Sequence, residues 1–199
     1  MRWWLFLIAF AVTMSLDAGL MPALAVGRTV PQLWPVLLAF VAMYASRESA
    51  LGAAACIGVW LDATHPALGV GRIAPSAVPV FGPHVLACMA GAWAVLEARS
   101  WLYRRNVLTL AFATVACAAF SSLAFIAIAG IRAAYADPSP LWGAGSGAGA
   151  VGADILAALL SAAVGLVPAW ALQASVPYWS FAMAGPRFGN PVRIGRSGD

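Results

Sequence analysis

Lysine is absent from this 199-residue chain: all 11 basic side chains are arginine, set against seven acidic residues and two histidines. Charged residues make up only 9% of the sequence, where a soluble domain carries roughly 25%. So little charge excludes a soluble globular enzyme, a disordered regulator and a coiled coil. The net charge of +4 is too small and scattered for a nucleic-acid-binding surface. Cysteine is scarce as well. Cys56, Cys88 and Cys117 lie within apolar runs, so each reads as a small hydrophobe and no disulfide framework is expected. What the chain has in abundance is apolar surface: 63% hydrophobic residues and a mean hydropathy of +0.87. That leaves an all-α integral membrane protein. At about 20 residues per crossing, at most about six spans fit, with no separate soluble domain.

The apolar runs cover residues 3–26, interrupted by Asp17, then 31–46, 49–62, 78–96, 107–131 and 151–176. The second and third are short for spanning helices. A single helix over residues 31–62 would be about 48 Å long against a hydrocarbon core of about 30 Å, and would bury Arg47 and Glu48 near its middle. A hairpin of two short helices turning at Arg47-Glu48 costs less. Six spans with a cytoplasmic N-terminus place eight arginines inside (Arg2, Arg47, Arg99, Arg104, Arg105, Arg187, Arg193, Arg196) and three outside (Arg28, Arg72, Arg132). A five-span arrangement with the N-terminus outside scores nearly as well, so the hairpin argument decides for six. Ala23-Leu24-Ala25 fits a signal-cleavage pattern, but Asp17 and Pro22 sit awkwardly in it and the run is long enough to span. The expected organisation is therefore a six-span domain over residues 1–183 and a flexible cytoplasmic tail over 184–199, whose arginines can touch anionic head groups. The Gly-rich stretch 143–152 reads as a flexible outer loop. As a phosphate loop it lacks a preceding strand and a following lysine.

Catalytic groups need partners. Neither His65 nor His84 is followed by Glu, so the H-E-x-x-H zinc signature is missing. Asp62 and His65, three apart, and His84 and Cys88, four apart, are two-ligand sets and do not make a metal site. Ser146, Ser121 and Ser122 have no evident base in the sequence, and no motif supports Asp17 and Asp154 as a protease pair. No catalytic, metal or cofactor residue is assigned. Charged groups at membrane depth are still notable, because an acid near a helix centre costs roughly 2.5–3.5 kcal/mol on insertion scales. Asp17 reads either as a functional carboxylate or as one near the outer end of a tilted first helix, paired with Arg28 or Arg72. Asp62 and Asp154 read as outer-end acids in reach of interfacial water. Arg99, Arg104 and Arg105 anchor the topology or form a basic docking patch.

Residues 30–69, VPQLWPVLLAFVAMYASRESALGAAACIGVWLDATHPALG, carry a resemblance. Pro31 opens an apolar helix, and a polar turn follows at Ser46-Arg47-Glu48-Ser49. A small-residue helix with Gly52 and Gly58 then ends in Asp62, with Pro66 and Gly69 after it. This pattern resembles MreD, the rod shape-determining membrane protein family. Ser15-Leu16-Asp17 with Pro22, and the basic turn from Arg99 to Arg105, resemble it too. Where the family usually shows Pro-Asp-Leu, this chain has Pro31-Gln32-Leu33. The longer Gly-rich loop and the tail also depart from the family pattern. The likeness covers about residues 1–176. It implies a non-enzymatic inner-membrane scaffold of the rod complex, acting in cell shape and peptidoglycan synthesis. The implied partners are MreC, MreB, RodA and a class B penicillin-binding protein. The implied fold is a six-helix bundle similar to the substrate-binding subunits of energy-coupling-factor transporters.

Two functions therefore compete: the scaffold, and a transporter subunit that binds a small molecule in a polar pocket. For the pocket the candidates are Asp17, His84, Ser121, Ser122 and Gln173. For the scaffold, Gly52, Ala53, Ala54, Ala55 and Gly58 allow close helix approach, within the bundle or against a single-span partner. Trp3, Trp4, Trp34, Trp60, Trp101 and Trp179 are placed as an interfacial belt, and Trp93 and Trp170 as core or lipid-facing.

Overall fold

A computed structural model describes residues 1–27, 29–64, 82–102, 106–135 and 147–181. The chain is all-α: α1 (Trp3–Gly19), α2 (Trp34–Tyr44), α3 (Arg47–Thr64), α4 (Pro83–Ala98), α5 (Val107–Tyr135), α6 (Gly147–Val164) and α7 (Leu166–Ser175), with short 3-10 turns at Met21–Leu24 and Val176–Trp179. Among the described residues there is no strand beyond an isolated bridge between Val26 and Thr29.

The expected hairpin of α2 and α3 is present. Ala45 is extended (φ −83°, ψ 168°) and ends α2. Ser46 then opens α3, its hydroxyl 2.9 Å from that of Ser49. Arg47 and Glu48 form the first turn of α3, where a carboxylate suits the helix dipole, so this helix is longer than the 49–62 run. Two other runs break where prolines interrupt the ladder. The first run is helical only to Gly19, and Pro22 lies in the 3-10 turn beyond it. The last run, expected to be continuous, splits at Gly165 with a 55° bend between α6 and α7. Pro168 in the first turn of α7 has no N–H for the Val164 carbonyl. A Cβ at Gly165 would come within 2.5 Å of the Ser161 carbonyl oxygen.

The hub is α2. Every residue from Pro35 to Met43 is buried, and the helix packs against all six others. At 11 residues it is about 16 Å long, too short to cross a hydrocarbon core of about 30 Å by itself. Its all-round apolar surface is stable because helices wrap it. By contrast, only Phe6 and Met14 of α1 are buried. The segment Val107–Ile128 of α5, with mean hydropathy 2.1, is long and apolar enough to cross a membrane, and the bent α6–α7 pair qualifies if taken as one span.

Glycine sets the closest helix approaches. At Gly58 of α3 a Cβ would lie 2.7 Å from the Val85 nitrogen of α4, and at Gly91 of α4 it would lie 2.6 Å from the Cys117 carbonyl oxygen of α5. Gly52 sits 3.1 Å, measured the same way, from the indole of Trp3. Both helix-three glycines singled out from the sequence are therefore used within the chain. Cys56, read as a core hydrophobe, is exposed on α3, whereas Cys88 and Cys117 are buried.

Gly58→Ala should lower stability by about 1–3 kcal/mol, because backbone rather than a flexible side chain occupies the space. Gly130→Ala, with nothing within 4 Å, should leave it unchanged or raise it by up to about 1 kcal/mol. Thermal unfolding of the two variants in one detergent checks the contrast.

Candidate functional site

Helix ends leave backbone N–H and C=O groups without partners, and in apolar surroundings each needs one. Here charged side chains from neighbouring helices supply them. Asp17, near the end of α1, accepts the Leu33 N–H (2.6 Å) and the Trp34 N–H (3.1 Å) at the start of α2. Asp62, near the end of α3, accepts the Gly82 N–H (2.7 Å) and the His84 N–H (3.1 Å) at the start of α4. At the opposite end, the Arg99 guanidinium donates to the Ala45 carbonyl (2.8 Å) and the Ala42 carbonyl (3.4 Å), which close α2. Each charge has the sign that the helix dipole favours. The ends of α1 and α3 and the starts of α2 and α4 thus meet at one end of the molecule. The Arg47–Glu97 ion pair (3.5 Å) lies with Arg99 at the other, exposed and weak.

These placements correct several sequence expectations. Asp17 is held by the backbone N–H groups of Leu33 and Trp34, and its candidate partners Arg28 and Arg72 lie outside the described residues. Asp62 does not reach interfacial water: it is 1% exposed. Arg99 is committed to the α2 carbonyls and is not a free docking cation. Pro31 is buried three residues ahead of α2, and Pro35 occupies its first turn. Of the aromatic belt, Trp179 is buried against Phe40; Trp93 and Trp170, read as core or lipid-facing, are exposed and so not core. Arg28, His65, Pro66, Gly69, Arg72, Arg104, Arg105, residues 136–146 and the tail 184–199 lie outside the described residues, as does the side chain of Asp154.

A cavity of about 690 Å³ opens between α1, α2, α3, α4 and α5 at the end where the two aspartates cap. Asp17, Gln32, Thr64, His84, Ser121 and Ser122 supply its polar lining, and Trp34, Trp60 and Phe125 its aromatic walls. Four of the five residues read as pocket candidates converge here. Gln173 does not, because its amide donates to the Asn106 carbonyl (3.2 Å). Trp34 donates its indole N–H to Gln32 Oε1 at 2.9 Å, which braces one wall.

His84 is oriented by the buried acid: Nδ1 lies 2.7 Å from Asp62 Oδ1. With the Asp62 carboxylate as acceptor, Nδ1 is the donor of this contact, and His84 also lines the cavity. The ring packs on Phe125, with centroids 4.7 Å apart. An Asp–His couple of this geometry orients the base in hydrolytic triads, but here no hydrogen bond joins His84 to Ser121 or Ser122. The sequence signal for the couple was hard to see, because Asp62 and His84 are 22 residues apart. No protein-family model, curated protein or solved structure matches this chain.

Asp62→Ala should cost about 2–4 kcal/mol, because it strands two backbone N–H groups and the imidazole together. Asp17→Ala, losing only a two-bond helix cap on a less buried group, should cost about 1–2 kcal/mol. Denaturation midpoints of the two variants in the same micelle would test that order.

Proposed function

We propose that the chain is a multi-pass scaffold of the bacterial inner membrane, of the MreD type, serving the wall-elongation machinery without catalysing a reaction. What carries this reading is where the charges go. Asp17, Asp62 and Arg99, the charged groups the sequence marks out, each stitch one helix end to a neighbouring helix. The remaining exterior is broadly apolar. Trp4, Leu7, Ile8 and Val12 on α1, Leu108, Phe112, Phe120 and Leu123 on α5, and Val167 and Trp170 on α7 are all exposed. Surface of that kind is stable only against lipid or a partner. The likeness of residues 30–69 to the MreD pattern supplies the implied partners: MreC, MreB, RodA and a class B penicillin-binding protein.

The cavity favours a second reading, a substrate-binding subunit of an energy-coupling-factor-type transporter, since four polar side chains foreseen for such a pocket line it. Crosslinking in cells, gentle solubilisation and mass spectrometry of the recovered partners separates the two. The scaffold predicts MreC together with wall-elongation proteins. Recovery of a coupling subunit and ATPases without wall proteins would sink it. The span arrangement has its own check. Reporter fusions at Arg47 and at Ser100 should both register as cytoplasmic, and a fusion at Gly27 as external; an external signal at Arg47 would overturn the six-span topology.

A further inference from the structure

The cavity is graded in polarity along the helices that line it. Asp17 stands near the end of α1, Thr64 closes α3 and His84 opens α4. Three or four residues further into each helix, on the same face, the lining turns apolar. Met14 follows Asp17, Leu61 follows Thr64, and Ala87 and Cys88 follow His84, all four buried. Ser121 adds no polarity to this floor, because its hydroxyl is packed against Gly91 in the seam between α4 and α5, with Cys117 beside it. The wall formed by α1 is the least tightly packed. That helix makes its close approach to α2 and reaches α3 through rings: the Trp3 indole against Gly52, and Phe10 edge-on to Trp60 with centroids 5.8 Å apart. Trp60 lines the cavity and is still 45% exposed, and Ala18 of α1, also in the lining, is exposed as well. Leu16 on α1 and Val59 on α3 are exposed near them. The mouth between α1 and α3 therefore continues into the apolar exterior.

We propose that this cavity holds one acyl chain of a bilayer phospholipid, which enters between α1 and α3 and leaves its headgroup at the rim of helix ends. A polar rim over an apolar floor is the order of an amphiphile. An apolar floor does not hold water, and left empty its lining would forfeit van der Waals contacts. A partner helix does not fit: at about 10–12 Å across it takes roughly 500 Å³ per turn, and the cavity of about 690 Å³ holds little more than one turn. An extended hydrocarbon chain passes where a helix cannot, between rings that hold α1 and α3 together without close backbone contact. The inference rests on the membrane-embedded part of the proposed function and stands apart from which macromolecular partners the chain has.

The test uses the full chain in vesicles of phosphatidylglycerol and phosphatidylethanolamine that carry a phosphatidylcholine with a diazirine on one acyl chain. After illumination, the labelled residues are identified by digestion and mass spectrometry. Adducts should form at Leu108, Phe112 and Val167 on the outer faces, and also at Met14, Leu61 and Ala87, which are buried and line the cavity. Ala18→Trp and Thr64→Trp add an indole to the lining from α1 and from α3, at positions that are exposed in the native chain. Each should lose the inner adducts and keep the outer ones, and its thermal midpoint shows whether it folds. Outer adducts without inner ones would overturn the assignment and leave the membrane reading standing. Inner adducts undiminished in the folded variants would overturn it too, because the chain would not be entering between α1 and α3. Adducts at neither set would overturn the membrane reading and the inference together.

Discussion

A helix inside an apolar environment has satisfied polar groups everywhere except at its ends, and this molecule depends on how those ends are closed. The buried hub α2 shows it best. Its N–H end rests on Asp17 from α1, and its C=O end rests on Arg99 from α4. An anion closes the positive pole and a cation the negative pole. Because the caps come from other helices, they also fix the relative heights of α1, α2 and α4. The Asp62 cap does the same for α3 and α4. Charges that would be costly in isolation thus set the vertical register of the helices, which uniform apolar packing cannot do.

The lateral spacing has a different origin. Where α3 meets α4, and α4 meets α5, a glycine lets one backbone lie against the next. Where α1, α2 and α3 approach the same end, the side chains are Trp34, Trp60 and Asp17, which cannot pack so closely. The helices separate there and the cavity opens. The capping carboxylates are therefore found at the cavity mouth for a structural reason, and the same geometry turns His84 toward a polar space.

Much of this was legible in the sequence, for identifiable reasons. The composition demanded helices, and the polar interruption at Ser46-Arg47-Glu48 located the hairpin. Small residues on α3 foretold close packing. The destinations of Asp17, Asp62 and Arg99 were not legible, because a cap from another helix joins residues 16 to 57 positions apart and depends on the bundle already being assembled. The break at Gly165 was missed because an apolar run gives no periodicity with which to detect a bend. Trp179 was misplaced because a tryptophan near a helix end reads the same whether it faces an interface or folds back under the hub. Ser121 was foreseen as a polar pocket residue, but the seating of its hydroxyl against Gly91 was not legible, because the two lie on different helices.

That folded-back tryptophan has a consequence for how the chain comes to be assembled. The Arg2 N–H donates to the Trp179 carbonyl at 3.1 Å, so the first helical turn is anchored to the last described one. During synthesis the start of α1 waits, without its final neighbour, until some 175 further residues have been made. Closure of the bundle is thus a late event: a chain stopped before residue 179 can already hold α1 against α2, with Trp3 beside Gly52, but lacks the bond that ties its start to Trp179.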